Sequence, residues 1–437
     1  MTSRPALISQ PRIRWRIFSM LVGFAVIVYF QQRSVTAAAE SIMPDLSLSQ
    51  MQIGWLQWAF VLSYAAFQFP GGVIGQRFGA RRTLTTTMLL AVLATAVVPL
   101  APLVLKGGGL FVVLFASQFL LGVAHAPFMP VCAGVMESWL PARRFALAQG
   151  MHTTALQVGA ALAPPVVALL MAAFGWQRGL FWAALPPLAL IAVWAWYGRN
   201  TPAEHRSVSM AELGELNPES SAPPDAQISM ARIFSILGNR DVGLLTLSYV
   251  SMNYVFYLLA NSCLFYLVQE RHFAALEGAL LASLPPLGAG IGALVGGLST
   301  DWLCTKLGVR WGFRALPLVA LPLAGLLLLA AVYSASPYGA VAALTAAYAA
   351  VEINEGPYWA AAMRIAGADT MAATGVLNTG GNLGGIIGIP IVAYLSTHVG
   401  WTSAFVLGVA CALVAALAWL VIDASRPMQV DDPSPVA

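Results

Sequence analysis

The sequence predicts an all-α membrane protein of twelve transmembrane helices in two pseudo-symmetric six-helix halves. Three observations lead there. Hydrophobic residues make up 59% of the chain and charged residues 9%, with a mean hydropathy of +0.76, too little polarity to cover a water-exposed surface. Apolar stretches near the roughly 20 residues that a bilayer requires recur along the whole chain. A set of glycine, proline and tryptophan landmarks repeats at an offset of 225 residues.

The first six apolar stretches fall at roughly 15–38, 52–76, 82–105, 110–136, 145–173 and 178–198. The first is too long, and too polar in its middle, for a cleaved signal peptide. Between Arg199 and Asn239 the chain carries Glu204, Glu212, Glu215, Glu219 and Pro223-Pro224, which reads as a flexible linker. The second six stretches follow at roughly 241–269, 276–303, 313–334, 338–363, 371–396 and 401–422. The expected organisation is an N-terminal bundle over 1–198, a cytoplasmic linker over 199–239, and a C-terminal bundle with a short tail over 240–437.

Orientation follows from the basic residues. With both termini cytoplasmic, the inner segments hold eighteen, from Arg4, Arg12, Arg14 and Arg16 to Arg364 and Arg426, whereas the outer loops hold Lys106, Arg178 and Arg271. That asymmetry is the positive-inside bias, and it predicts a multi-pass protein of the cell (inner) membrane. The net charge of +4 is thereby a topology signal, and no basic patch with interleaved aromatics suggests nucleic acid. Cys132, Cys263, Cys304 and Cys411 lie on four different stretches without metal-ligand spacing and read as packing residues.

In the repeat, Gly72 matches Gly297, Gly150 matches Gly375, Gly159 matches Gly384, Pro165 matches Pro390, and Gly175-Trp176 matches Gly400-Trp401. Parallel six-helix halves around a midplane cavity are the architecture of a secondary transporter that rocks one half against the other. Between the second and third helices the segment Gly72-Val-Ile-Gly-Gln76-Arg77-Phe78-Gly79-Ala80-Arg81-Arg82 resembles the signature loop of the major facilitator superfamily, whose pattern has an Asp where this chain has Gln76. A fainter copy, Gly297-Leu-Ser-Thr-Asp301, stands in the second half. The resemblance implies a gating role for Gln76, Arg77, Arg81, Arg82 and Asp301. The missing acid predicts a weaker latch than the family norm, with Glu137 as an alternative partner for one of the arginines.

Within that superfamily the chain resembles the anion:cation symporters, a group of sugar-acid and organic-anion permeases. The segments that carry the likeness are Phe30-Gln31-Gln32-Arg33, Phe60 to Gly72 around Tyr64, and Asn378-Thr379-Gly380-Gly381-Asn382. Arg33 stands inside the first apolar stretch, where an arginine costs about 2.5–3.5 kcal/mol on insertion scales and therefore faces water or a counter-ion. The resemblance implies that Arg33 holds a substrate carboxylate and that Tyr64 lines the cavity. Where sugar-acid members have an acid before this arginine, and an arginine and a glutamate in the fourth helix, this chain has Gln32, Gln118 and His125. One cationic residue in place of two favours a substrate with one carboxylate.

Replacement acids stand in the tenth stretch as Glu352 and Glu355, three apart on one helix face. Gly356-Pro357 should break that helix and free carbonyls that a cavity or a polar neighbour must satisfy. Glu355 leads as the coupling residue, followed by Glu352. His125 is either a proton-sensing ligand or an interhelical hydrogen-bond partner. Asn253, Tyr257 and Asn261 on one stripe of the seventh stretch, Tyr358 and Trp359 on the tenth, and Asn378 and Asn382 on the eleventh complete the candidate substrate contacts.

The expected function is transport of a small organic monocarboxylate by alternating access with proton coupling. Uncoupled uniport or anion exchange is an alternative within the class, and a non-transporting solute sensor an alternative outside it. The expected partners are the organic anion, protons and the lipid bilayer, with a monomeric chain and no cofactor. No nucleophile-base arrangement, phosphate-binding loop or metal cluster in the sequence supports an enzyme or an ATP-driven pump.

Overall fold

A computed structural model describes residues 13–216, 230–274, 277–278 and 281–428. Arg4, Arg12, Glu219, Pro223 and Pro224, named above, lie outside the described residues. Among the described residues, nine helical stretches are long and apolar enough to cross a membrane. Two of them, Leu284–Tyr333 and Pro337–His398, run to 50 and 62 residues and each contains two crossings. The former folds back at Gly308, whose φ of 75° favours a residue without a Cβ, and the latter at Gly367–Asp369. Gln50–Phe78 is the remaining crossing, more polar than the others, and brings the number to twelve.

The first span is Ile13–Ala37, the second Gln50–Phe78 and the third Ala80–Leu100. The fourth is broken into Gly107–His125 and Phe128–Trp139, the fifth is Phe145–Phe174, and the sixth is broken into Trp176–Ala184 and Pro187–Tyr197. In the second half, Arg240–Gln269 is the seventh span, 284–307 the eighth and 309–333 the ninth. The tenth comprises Pro337–Glu352 and Glu355–Ala366, the eleventh is Thr370–His398 and the twelfth Trp401–Ala418. An even number of crossings puts both ends of the described chain on one face of the bundle, here called the terminal face.

The 225-residue repeat is visible as paired contacts. A Cβ on Gly72 would meet the Met371 carbonyl, and one on Gly297 would meet the Ala146 carbonyl, which is the same pair displaced by the repeat. Gly150 packs on Ala293, and Gly375 on Gln68 and Phe69, again equivalent positions. Both sets join opposite halves, second span to eleventh and fifth to eighth, near the terminal face. Small residues let backbones approach closely where lipid offers no hydrophobic drive for helix association.

Two sequence readings change here. The tenth helix breaks at Ile353–Asn354, before Glu355, and not at Gly356-Pro357. Proline has no N–H to give to the carbonyl four residues earlier, which is that of Ile353, and its ring is tolerated in the first turn of the new helix that Glu355 opens. The Asn354 amide donates to the carbonyls of Ala350 (2.8 Å) and Val351 (3.1 Å), so a side chain satisfies two of the carbonyls just before the break. The linker is also less free than its composition suggests. Glu212 is buried and accepts from the backbone N–H of Ile13 (3.3 Å) and Arg14 (3.1 Å), capping the first span, while Arg14 pairs with Glu215 at 2.5 Å.

Candidate functional site

Between the halves lies a cavity of about 260 Å³. It extends from the tenth-helix break toward the face opposite the termini, where Thr36, at the end of the first span, and Ile53 and Gln57, near the start of the second, line it. On the terminal side the halves are in contact, as the glycine pairs require.

Arg33 stands on the wall of this cavity. It is exposed although it lies within the first span, and among the described residues it has neither an ion-pair partner nor a hydrogen-bond acceptor. Gln31 faces the other way, is 1% exposed, and accepts from the His125 imidazole Nε2 at 3.2 Å. His125 is fully buried, edge-on to Phe60, and is not part of the cavity wall, so its surroundings match the interhelical-partner alternative.

Of the expected substrate contacts, Gln32, Tyr64 and Gln118 from the first half line the cavity beside Arg33. Asn253, Tyr257 and Asn261 from the seventh span, and Asn378 and Asn382 from the eleventh, line the opposite wall. Asn382 is committed elsewhere: its oxygen accepts from the Tyr257 hydroxyl (3.0 Å) and its amide donates to the Asn378 carbonyl (2.8 Å). The side-chain amide nitrogen of Gln118, by contrast, is buried without a protein partner among the described residues, and that of Asn378 lies near the Tyr64 hydroxyl.

Glu352 and Glu355 both reach the cavity, from opposite sides of the helix break. Glu355 accepts from the Tyr249 hydroxyl at 2.8 Å, and that hydroxyl accepts in turn from the Trp359 indole N–H at 3.2 Å. Trp359 therefore stands behind the wall as a support, and Tyr358 points away from the cavity altogether, its hydroxyl 2.5 Å from Ser248 and its ring edge-on to Trp419. Both were expected to meet solute. The helix restarts at Glu355, which turns the two residues three and four places on toward the core of the C-terminal half.

Tyr29, Gln57, Thr153, Gln157 and Tyr249 line the cavity without having been singled out by sequence. Tyr249 was within reach, since it stands four residues before Asn253 on the same stripe. The others carry no pattern that separates them from ordinary helix polarity.

At the terminal face, Gln76 donates to the Ala368 carbonyl (2.6 Å) and to Asp369 Oδ1 (2.8 Å), and accepts from the Ala372 N–H (3.3 Å). The amide at 76 thus donates as well as accepts across the interface. Asp301 accepts from the Leu147 N–H at 3.2 Å. Arg81 bonds the Ala195 carbonyl within its own half, and Arg77 lies over the Phe78 ring. Glu137 forms no ion pair among the described residues.

Comparison with known proteins gives a consistent result. The family model described as Major Facilitator Superfamily matches residues 21–372. A probable sulfoacetate transporter of Cupriavidus necator is 25% identical over 95% of both chains. A hexuronate transporter of Bacillus subtilis is also 25% identical, over 97% of this chain and 96% of its own. Among solved structures, the proton:xylose symporter XylE superposes with a TM-score of 0.76 over 95% of this chain and 97% of its own, at 13% identity, which speaks for the fold alone.

Proposed function

The chain belongs to the Major Facilitator Superfamily and is a membrane transporter, and from that premise we propose that it carries a small organic monocarboxylate by alternating access, with protons as the coupling ion. The observation that carries this reading is Arg33: a water-accessible guanidinium within the last turns of the first span, without an ion-pair partner among the described residues, on the wall of a cavity between the halves. Its planar fork suits a carboxylate bidentately. The relatives named for sulfoacetate and hexuronate support an anionic solute. With a single cation on the wall among the described residues and an amide at Gln118, a second carboxylate would be desolvated without a partner, at a cost of several kcal/mol.

Glu355 is the proposed proton carrier. It meets the cavity on one side and Tyr249 on the other, so a proton can exchange with cavity water while the hydroxyl holds the carboxyl in place. The chain works as a monomer in the cell (inner) membrane with both termini cytoplasmic, which makes the terminal face the inner one. Residues 199–239 link the bundles of 1–198 and 240–437, and Gln76 and Asp301 hold the inner gate.

The test is uptake into proteoliposomes from a panel of mono- and dicarboxylates. Arg33→Ala should abolish binding and uptake of the solute so identified, and Arg33→Lys should restore it only in part. Dicarboxylates should compete poorly. Glu355→Gln should keep solute exchange while losing accumulation driven by a pH gradient. Unchanged affinity in a folded Arg33→Ala protein refutes the anchor, and full gradient-driven accumulation in Glu355→Gln refutes the coupling assignment.

A further inference from the structure

The charges on the cavity wall are divided between the halves. Arg33 comes from the first span, and Glu352 and Glu355 from the tenth. Glu355 has its hydroxyl partner in Tyr249. Glu352 differs: it is 1% exposed, borders the cavity, and its Oε2 is buried with no partner in the protein. It does not pair with Arg33. Tyr29 and Tyr348 lie within electrostatic reach of both groups.

Aromatic residues stand near this carboxyl, Tyr29 and Tyr348 within its electrostatic range. Tyr348 precedes it by one helical turn, and Phe256 of the seventh span sits edge-on to Tyr348 at 5.5 Å and to Tyr257 at 5.1 Å. Phe256, Tyr257 and Tyr29 all border the cavity. A carboxylate set among aromatic faces is the chemistry that recognises an ammonium or quaternary ammonium group, by charge and by the ring quadrupoles together. An ionised Glu352 left alone in such a place would be costly, and a solute cation relieves that cost. A plain carboxylate bound at Arg33 would not.

We propose that the solute is a zwitterion, with Arg33 taking its carboxylate and Glu352, on the opposite half's part of the cavity wall, taking a cationic nitrogen at its other end. This rests on the carboxylate reading above and narrows it to amino- or trimethylammonio-carboxylates. The three wall charges then divide the work, with Arg33 holding the anion, Glu352 the cation and Glu355 the proton. The arrangement also disfavours dicarboxylates twice over, because their second anion would face Glu352.

The experiment is binding to the purified full chain, by titration calorimetry, of ω-amino carboxylates from glycine to 6-aminohexanoate and of glycine betaine. Each is compared with the uncharged-tail carboxylate of matched length, such as pentanoate for 4-aminobutyrate. At least one cationic member should bind about tenfold or more tightly than its match, a gap of about 1.4 kcal/mol. Glu352→Gln should erase that preference and leave the plain carboxylate no weaker, and Glu352→Asp should keep part of it. Equal or tighter binding of the plain carboxylates throughout the series by the wild-type protein, which needs no variant to fold, overturns the proposal, as does a preference that survives Glu352→Gln. If neither series binds the wild-type protein and Arg33→Ala changes nothing, the carboxylate reading itself has failed.

Discussion

The terminal face is closed twice by the same geometry with different chemistry. Gln76 and Asp301 stand 225 residues apart, and so do the N–H groups they cap, Ala372 and Leu147. Each capped N–H is the third of a helix in the opposite half, where the helix's own leading residue gives no side-chain cap. Those leading residues are equivalent too, Arg144 in one half and Asp369 in the other. Asp301 therefore meets a helix start carrying a positive side chain, with Arg364 also in range. Gln76 meets one carrying a buried acid, 0% exposed and paired with Arg232 at 2.7 Å. An acid at 76 would set two carboxylates side by side, whereas the amide donates to Asp369 and still accepts from Ala372. The amide at 76 thus fits the acid that faces it across the interface, and neither residue can be judged alone.

The sharpest way to break this comparison is Gln76→Asp. It replaces a hydrogen bond at 2.8 Å by like charges in a buried site, which should weaken closure by about 3–5 kcal/mol. The measurement is labelling of a cysteine introduced at Thr153 on the cavity wall, in a background without other cysteines, by an impermeant maleimide added from the terminal side. Labelling should rise by orders of magnitude and return towards wild type in Gln76→Asp with Asp369→Asn. If the double variant labels like the single one, the two residues are not coupled.

The glycine pair tests whether the two contacts are mechanically alike. A Cβ at Gly72 or at Gly297 would press on a carbonyl of the other half, Met371 or Ala146 respectively. Alanine at either position should cost about 1–3 kcal/mol of closure, and nearly the same at both. A large inequality in terminal-side labelling would mean that the repeat is matched in sequence but not in the load it carries.

How far the sequence reached follows the same division. The twelve crossings and the duplication were legible because hydropathy and glycine spacing are local properties, and Gly72 announces its equivalence to Gly297 without any knowledge of what it touches. Arg33 was legible because a charge in an apolar run is costly wherever it points. The partner of Gln76 was not, since Asp369 lies almost three hundred residues away and its meaning depends on which helix start faces which loop. The helix break was misplaced by three residues for a similar reason: proline marks where an N–H is missing, while the chain opens at the carbonyl that would have received it. Tyr358 and Trp359 share the depth of the other aromatics considered for the cavity, but depth does not say which way a side chain faces once the helix restarts at Glu355. Glu212 looked like linker polarity because its partners, the N–H groups of Ile13 and Arg14, belong to the far end of the half.

Asp301→Asn gives the smallest effect and isolates charge from geometry. Asparagine keeps an oxygen in position to accept from Leu147, so the cap survives, and both latches then carry amides. What is lost is the attraction to Arg144 and Arg364 and to the positive end of the fifth helix, about 0.3–1 kcal/mol. Because these charges sit near the membrane surface, the difference between wild type and variant in terminal-side labelling should shrink as ionic strength rises and the Debye length falls from about 10 Å at 0.1 M to about 3 Å at 1 M. The wild-type latch at Gln76, an amide against a buried ion pair, should show little salt dependence. A difference for Asp301→Asn that is large and indifferent to salt would show that the asparagine has lost the hydrogen bond as well, and the two latches would then differ in shape and not in charge alone.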